Sequence, residues 1–181
     1  HVNFHTENPG KQTAGHITAN KTLNRQQQLD QCAVCHSGND KRKIQSRFMF
    51  RPGDLLANYF LPAVVADSTR HFDVHGNQFN LLKQSRCFLK SNSITCSTCH
   101  NPHGNAAMPA AVYAQKCMGC HQEGSADFCT VKNIAVAELK ANCTDCHMPR
   151  ETSDAISFRV SGSAAVSSYL LRSHLIAVYK E

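Results

Sequence analysis

The chain has 181 residues, a formal net charge of +6 and only 7% aromatic residues, with no tryptophan. This length suffices for one or two domains, but so few aromatic side chains offer little apolar surface for a core. The longest apolar stretch, residues 59–66, is interrupted by Pro62, so no segment of this sequence is predicted to span a membrane.

The first 20 residues are polar and show no clear period, which predicts a loop segment. Its three histidines are His1, His5 and His16. A short helix is predicted from Leu23 to Gln31, with Thr22 as its cap, and it leads into a Cys-X-X-Cys-His sequence. The next feature is the basic run Lys41-Arg42-Lys43, which is most simply a solvated charge run.

Two apolar segments follow. Residues 51–54, Arg-Pro-Gly-Asp, predict a turn, and Asp54 can cap a short helix. The apolar face of that helix would consist of Leu55, Leu56, Tyr59 and Phe60. Residues 74–90 fit a second helical stripe, formed by Phe79, Leu82 and Leu89.

Three more helices are predicted in the second half of the chain. Residues 110–118 and 131–142 each lead into a further Cys-X-X-Cys-His sequence, and Thr130 is the expected cap of the second helix. Residues 166–181 are predicted to form a C-terminal helix. Apolar residues spaced three and four apart there place His174 in the middle of a helical stripe.

The sequence Cys-X-X-Cys-His occurs four times. Its members are Cys32, Cys35 and His36; Cys96, Cys99 and His100; Cys117, Cys120 and His121; and Cys143, Cys146 and His147. Two intervening residues present both thiols to one porphyrin edge, and the histidine that follows binds the iron from below. The repeats predict four covalent c-type haems. Zinc or a disulfide scaffold is the alternative, but neither needs a histidine after every pair.

Four porphyrins would supply much of the missing core. We therefore expect a single tetrahaem domain over residues 1–181, mostly α with extensive loops, in which short helices wrap around the haems with little or no sheet. Haem propionates would lower the net charge to about +2, so the basic balance does not indicate nucleic acid binding. The attachment chemistry predicts a periplasmic or extracellular location.

Each iron has a second axial position, and seven further histidines compete for these positions. His103 is favoured because Pro102 prevents a continuing helix and turns it away from the haem of His100. His75 is preferred to His71 because the neighbouring Gly76 lets a ring approach closely. His174 is favoured because an imidazole aimed into a core of haems finds iron.

Several stretches resemble the multihaem cytochrome c family related to the tetrahaem cytochrome of ammonia oxidisers. They are residues 51–54, 73–78, 95–104 (CxxCHxPHG) and 143–149 (CxxCHMP). The resemblance covers nearly the whole chain. It implies a haem-wrapping helical fold, electron transfer outside the cytoplasm, and distal ligands at His75, His103 and His174.

The resemblance also bears on the N-terminus. Relatives often have a haem segment followed by a His-Val pair whose histidine is an axial ligand, and His1-Val2 looks like that pair. This favours His1 over His16 as the fourth distal ligand and implies that the chain is the C-terminal part of a longer cytochrome.

Cys87 and Cys129 are the two cysteines outside the motifs. Many relatives have a histidine where Cys87 stands. In an oxidising compartment the two cysteines are expected to form a disulfide, with two free thiols as the alternative.

The expected function is electron transfer through a haem relay, with no catalytic residue. The expected partners are other redox proteins or further haem domains, and the basic run at residues 41–43 is a candidate docking patch for an acidic one. The alternatives are an oxidoreductase acting on a small nitrogen or sulfur compound at one five-coordinate haem, and a structural unit of a cytochrome assembly or filament.

Overall fold

The computed structural model describes residues 1–13, 15–38, 41–61, 72–104 and 108–179. The α-helices in these ranges are α1 (Val2–Glu7), α2 (Arg25–His36), α3 (Gln78–Leu82), α4 (Arg86–Lys90), α5 (Cys96–Cys99), α6 (Ala110–Met118), α7 (Val136–Ala141) and α8 (Cys143–His147). The strands are β1 (Arg150–Arg159) and β2 (Val166–Arg172), which pair antiparallel. The expected class of short helices and loops is confirmed, with more sheet than predicted.

Helix α2 carries the first motif, as predicted, but it begins later. Its cap is Asn24, whose side chain accepts from the Gln27 backbone N–H, while Gln27 accepts from the Asn24 backbone. This reciprocal capping box satisfies two donors at the helix start. Thr22 instead ends a 3₁₀ turn, Asn20–Thr22, so its prediction as the cap is wrong.

The predicted helix after Asp54 is replaced by 3₁₀ turns at Arg47–Met49 and Leu56–Asn58. Asp54 accepts from the Arg51 backbone N–H and closes the preceding turn instead of capping a helix. The chain stays irregular because Leu56, Tyr59 and Phe60 all bury against Ala33 of α2. Leu55 is exposed. The end of the predicted segment, residues 62–66, lies outside the described residues.

The predicted stripe over residues 74–90 is divided into α3 and α4. Between them, the fully buried Ser85 donates its hydroxyl to the carbonyl of His174 and accepts from the Ile176 N–H. Leu82 and Phe88 pack against Leu29. Leu89, the third residue of the predicted stripe, is 67% exposed and does not share the buried face of Leu82.

The C-terminal helix predicted over residues 166–181 is absent, and this is the main correction to the fold. Residues 166–172 form β2, where Val166 and Tyr169 have side chains that favour a strand. Residues 173–179 have no regular structure. Their backbone bonds to distant partners instead, since Ser173 N–H donates to Pro149 O (2.8 Å) and Ala177 N–H to His147 O (3.2 Å).

The remaining elements differ from prediction in smaller ways. The N-terminal segment contains helix α1 and is not only loop. Helix α6 has the predicted bounds. Helix α7 begins at Val136 with Ala135 as its N-cap residue, and not at residue 131 with Thr130 as its cap. None of the described helices has the length and apolar character that a bilayer crossing requires.

Candidate haem-binding sites

All four Cys-X-X-Cys-His sequences lie on or at the end of a helix. The first closes α2, the second and fourth form α5 and α8, and the third begins in the last turn of α6. Residues three apart on a helical turn share one face. Each pair of cysteines is therefore presented to the same side, which is what attachment to one porphyrin edge requires.

The first and second motifs meet through their leading cysteines. The Cys96 thiol donates a hydrogen bond to the Cys32 sulfur, and this lowers the pKa of Cys32 to about 7 although burial opposes the shift. The same hydrogen bond, together with burial, raises the pKa of Cys96. Motifs that are 64 residues apart in sequence thus place their haem attachment points side by side.

The third and fourth motifs are paired in the same way. Cys117 and Cys143 are joined by a side-chain hydrogen bond. Burial, followed by the neighbouring Cys143, raises the pKa of Cys117 to about 11. Cys99 of the second motif also acts on Cys117, so the two pairs adjoin.

The two cysteines outside the motifs stand beside motif cysteines. The electrostatic influence of Cys87 reaches Cys99 and Cys117, whereas that of Cys129 reaches Cys143. All ten cysteines of the chain are free thiols in the structure, so the expected Cys87–Cys129 disulfide is not formed.

Free thiols at Cys87 and Cys129 predict a labelling result. Alkylation of the haem-loaded protein, unfolded without reductant, should modify two cysteines per chain, because thioether bonds consume the other eight. Mass spectrometry of the peptides locates the labels, and a Cys87→Ser variant should lose one. Labelling that appears only after reduction would show that the disulfide exists.

Three of the proximal histidines are oriented through Nδ1. This atom contacts Gln78 Oε1 in His36 (3.2 Å), the Asp127 carbonyl in His121 (2.7 Å) and the Ala177 carbonyl in His147 (2.8 Å). A metal-binding histidine ordinarily engages one ring nitrogen in this way and offers the other to the metal. The arrangement therefore leaves Nε2 as the ring nitrogen that is available to bind a metal in each of them.

A cavity of about 490 Å³ opens beside the first motif. It is lined by Cys35, His36, Arg47, His75, Gly76, Gln78, Ile156, Tyr169 and Leu171. Its volume is within the range of cofactor pockets, about 300–1,000 Å³. The proximal His36 and the predicted distal His75 face the same space, so the residues fit one haem. His71, the alternative to His75, lies outside the described residues.

The loop bearing His75 is fixed on three sides. The neighbouring Gly76 has a φ of +73°. The Gly76 carbonyl accepts a hydrogen bond from the N–H of Gly38, which lies just after the first motif (2.8 Å). Asp73 accepts from the His75 N–H and from the Asp154 N–H in β1. Burial alone would raise the pKa of Asp73, but these hydrogen bonds hold it below its usual value. Sequence reasoning missed this anchor, although an aspartate two residues before His75 is a turn signal.

His174 lies opposite His100 with their rings 6.1 Å apart between centroids and 25° from parallel. This centroid distance lies within the range of offset-stacked aromatic pairs, about 4.5–7 Å. Two imidazoles bound to one metal through bonds of about 2 Å would have centroids about 6 Å apart. Burial, followed by His100, lowers the pKa of His174 and keeps the ring in the neutral form that binds metal. The same separation would also suit two axial ligands of one iron, so His174 stays a predicted ligand.

The other predicted ligands lie on the surface of the protein. His103 is exposed in a turn where its N–H donates to Asn101 Oδ1. His1 is exposed, with Nδ1 on the Gly15 carbonyl (3.0 Å) and its ring against His5. His16 is exposed and its ring contacts Phe4. These three assignments stay predictions.

Cys-X-X-Cys-His turns with oriented histidines are typical of multihaem c-type cytochromes, a class of proteins that bind haem covalently and transfer electrons. Residues 90–126, which hold the second and third motifs, match the family model described as the doubled CXXCH motif. No curated protein and no solved structure matches the chain significantly.

Proposed function

We propose that this chain is an electron carrier in which four covalent c-type haems form a relay. The observation that carries the proposal is the contact between motifs: Cys32 with Cys96, and Cys117 with Cys143. Attachment points in contact hold their porphyrins close together. Cys99 of the second motif acts electrostatically on Cys117 of the third, which links the two pairs of motifs. The four haems would therefore follow one another in chain order.

The histidine geometry supports axial coordination on both faces of at least two irons. His36 with His75 borders one cavity, and His100 with His174 has the separation of two ligands on one metal. The haem supplies reversible one-electron chemistry. The chain positions the imidazoles, fixes their Nδ1 atoms and closes the axial positions to exogenous ligands. The resemblance to the cytochromes of ammonia oxidisers is consistent with this role. We further propose that the protein works in the periplasm or outside the cell, with other redox proteins or haem domains.

The proposal predicts four haems per chain, all low-spin in the ferric state. A pyridine haemochrome assay measured against protein mass should give four. The Cys117→Ala/Cys120→Ala variant should give three, because it removes one attachment site. Three or fewer haems in the fully matured, unmutated protein would contradict the relay. A substantial high-spin fraction in its ferric EPR spectrum would instead favour an enzyme with one open iron.

A further inference from the structure

Residues 41–51 form a surface of unusual composition, which we call the basic face. It contains five basic residues and no acidic one. The basic residues are Lys41, Arg42, Lys43, Arg47 and Arg51. At its centre Phe48 is 92% exposed and Met49 59% exposed. Apolar side chains surrounded by polar ones are typical of the centre and rim of a protein interface.

The basic face adjoins the first haem cavity. Arg47 lines that cavity, and the next residue, Phe48, is not among the lining residues and is almost fully exposed. Lys41 Nζ donates to the hydroxyl of Ser37, which directly follows the proximal ligand His36. A protein resting on Phe48 would therefore sit next to the first haem.

Positive charge is concentrated here. Lys41 Nζ and Arg47 Cζ lie 6.0 and 5.8 Å from the centre of the same ring, Phe60. Burial, followed by the nearby Lys83, lowers the pKa of Lys41 to about 8, with Arg47 acting in the same direction and Asp30 against it.

The two described acidic residues near the basic face, Asp30 and Asp54, are hydrogen-bonded to other parts of the protein. Asp30 is buried and accepts from the Leu56 N–H and the Gln26 side chain. Asp54 accepts from the hydroxyl of Tyr59 and the Arg51 N–H. Residues 40–54 contain five basic and two acidic residues, so the net charge of this stretch is positive.

We propose that the basic face is the docking surface of an acidic redox protein, which exchanges electrons with the first haem across Phe48. This inference rests on the proposed electron-transfer function. Steering by complementary charge raises the rate of encounter, and the apolar centre excludes water from the contact. The propionates of this protein's own haems are the other anions that these cations could bind. The experiment distinguishes binding of a partner protein from binding of the propionates.

The test is the second-order rate of electron exchange with flavodoxin, an acidic flavoprotein, measured by stopped flow on the haem-loaded protein. The Arg42→Glu/Lys43→Glu variant changes two exposed side chains and should slow the reaction about tenfold at low ionic strength. Phe48→Ser should slow it severalfold without changing its salt dependence. The control, Lys21→Glu/Lys132→Glu, makes the same charge change at exposed positions elsewhere and should have little effect.

Equal slowing by the control pair, or a reaction of the unmutated protein that does not depend on salt, would overturn the docking surface. A shift in haem midpoint potential large enough to explain the slower rate would also overturn the docking surface, because it would show that the cations interact with the haem propionates. Hexaammineruthenium, a small cation, reports on the haems independently. If hexaammineruthenium did not exchange electrons with the unmutated protein, the proposed electron-transfer function itself would be overturned.

Discussion

Replacing His174 with alanine is expected to convert one of the four haems to a high-spin, ligand-accessible form. The ring faces His100 at the distance that two axial ligands of one iron require, and its carbonyl is fixed by the Ser85 hydroxyl. Loss of one ligand leaves iron with a vacant position. About a quarter of the haem should therefore bind cyanide rapidly and give a high-spin EPR signal.

Two controls make this result specific. His5→Ala removes a histidine that lies against His1 and should leave all four haems low-spin. Added imidazole should restore the low-spin spectrum of His174→Ala, because it can enter the vacated position. A variant that stays fully low-spin without added imidazole would show that His174 is not an iron ligand.

Replacing Arg172 with alanine is expected to lower the free energy of unfolding by about 2 kcal/mol. Its guanidinium donates to the carbonyls of Thr144 (2.7 Å) and Met148 (2.8 Å) and pairs with Asp145 (2.7 Å). It thereby satisfies the end of α8, the helix that carries the fourth motif, and ties it to β2. Partial exposure of the side chain limits the effect. The midpoint of thermal unfolding should fall by about 6 °C.

Arg159→Ala is the matched control, since Arg159 is exposed at the far end of the same hairpin. It should change the midpoint by less than about 2 °C. Arg172→Lys should have an intermediate effect, because a lysine keeps the charge but cannot bond both carbonyls and the carboxylate at once. An Arg172→Ala protein as stable as the parent would show that the haem, and not Arg172, holds the fourth motif in place.

The C-terminal segment shows that a residue can lie beside a motif although the element predicted to carry it is wrong. His174 was predicted as a buried ligand candidate from a helical stripe, yet the stripe does not form a helix. Each of its apolar residues also suits an extended chain, and periodicity cannot weigh local hydrogen bonds against distant ones. Here the distant bonds prevail, since Ser85 and Pro149 provide partners for the backbone around His174.

The sequence by itself determined the features that depend on neighbouring residues. A Cys-X-X-Cys-His pentapeptide contains the residues of its own haem chemistry, so covalent haem binding is predicted without knowledge of the fold. The same holds for the turn at residues 51–54 and for helix α6. Gly76, next to His75, likewise signalled an open approach for a ring, and a Cβ there would meet nothing within 4 Å.

Tertiary structure alone decided which motifs meet and which histidines face them. Cys32 reaches Cys96 across 64 residues, and His100 reaches His174 across 74. Such contacts depend on how several short helices pack, and no local pattern encodes that packing. The same reason explains the wrong prediction for Cys87 and Cys129, which were expected to form a disulfide because they are the two cysteines outside the motifs. Cys87 acts electrostatically on Cys99 and Cys117, Cys129 acts on Cys143, and both are free thiols in the structure.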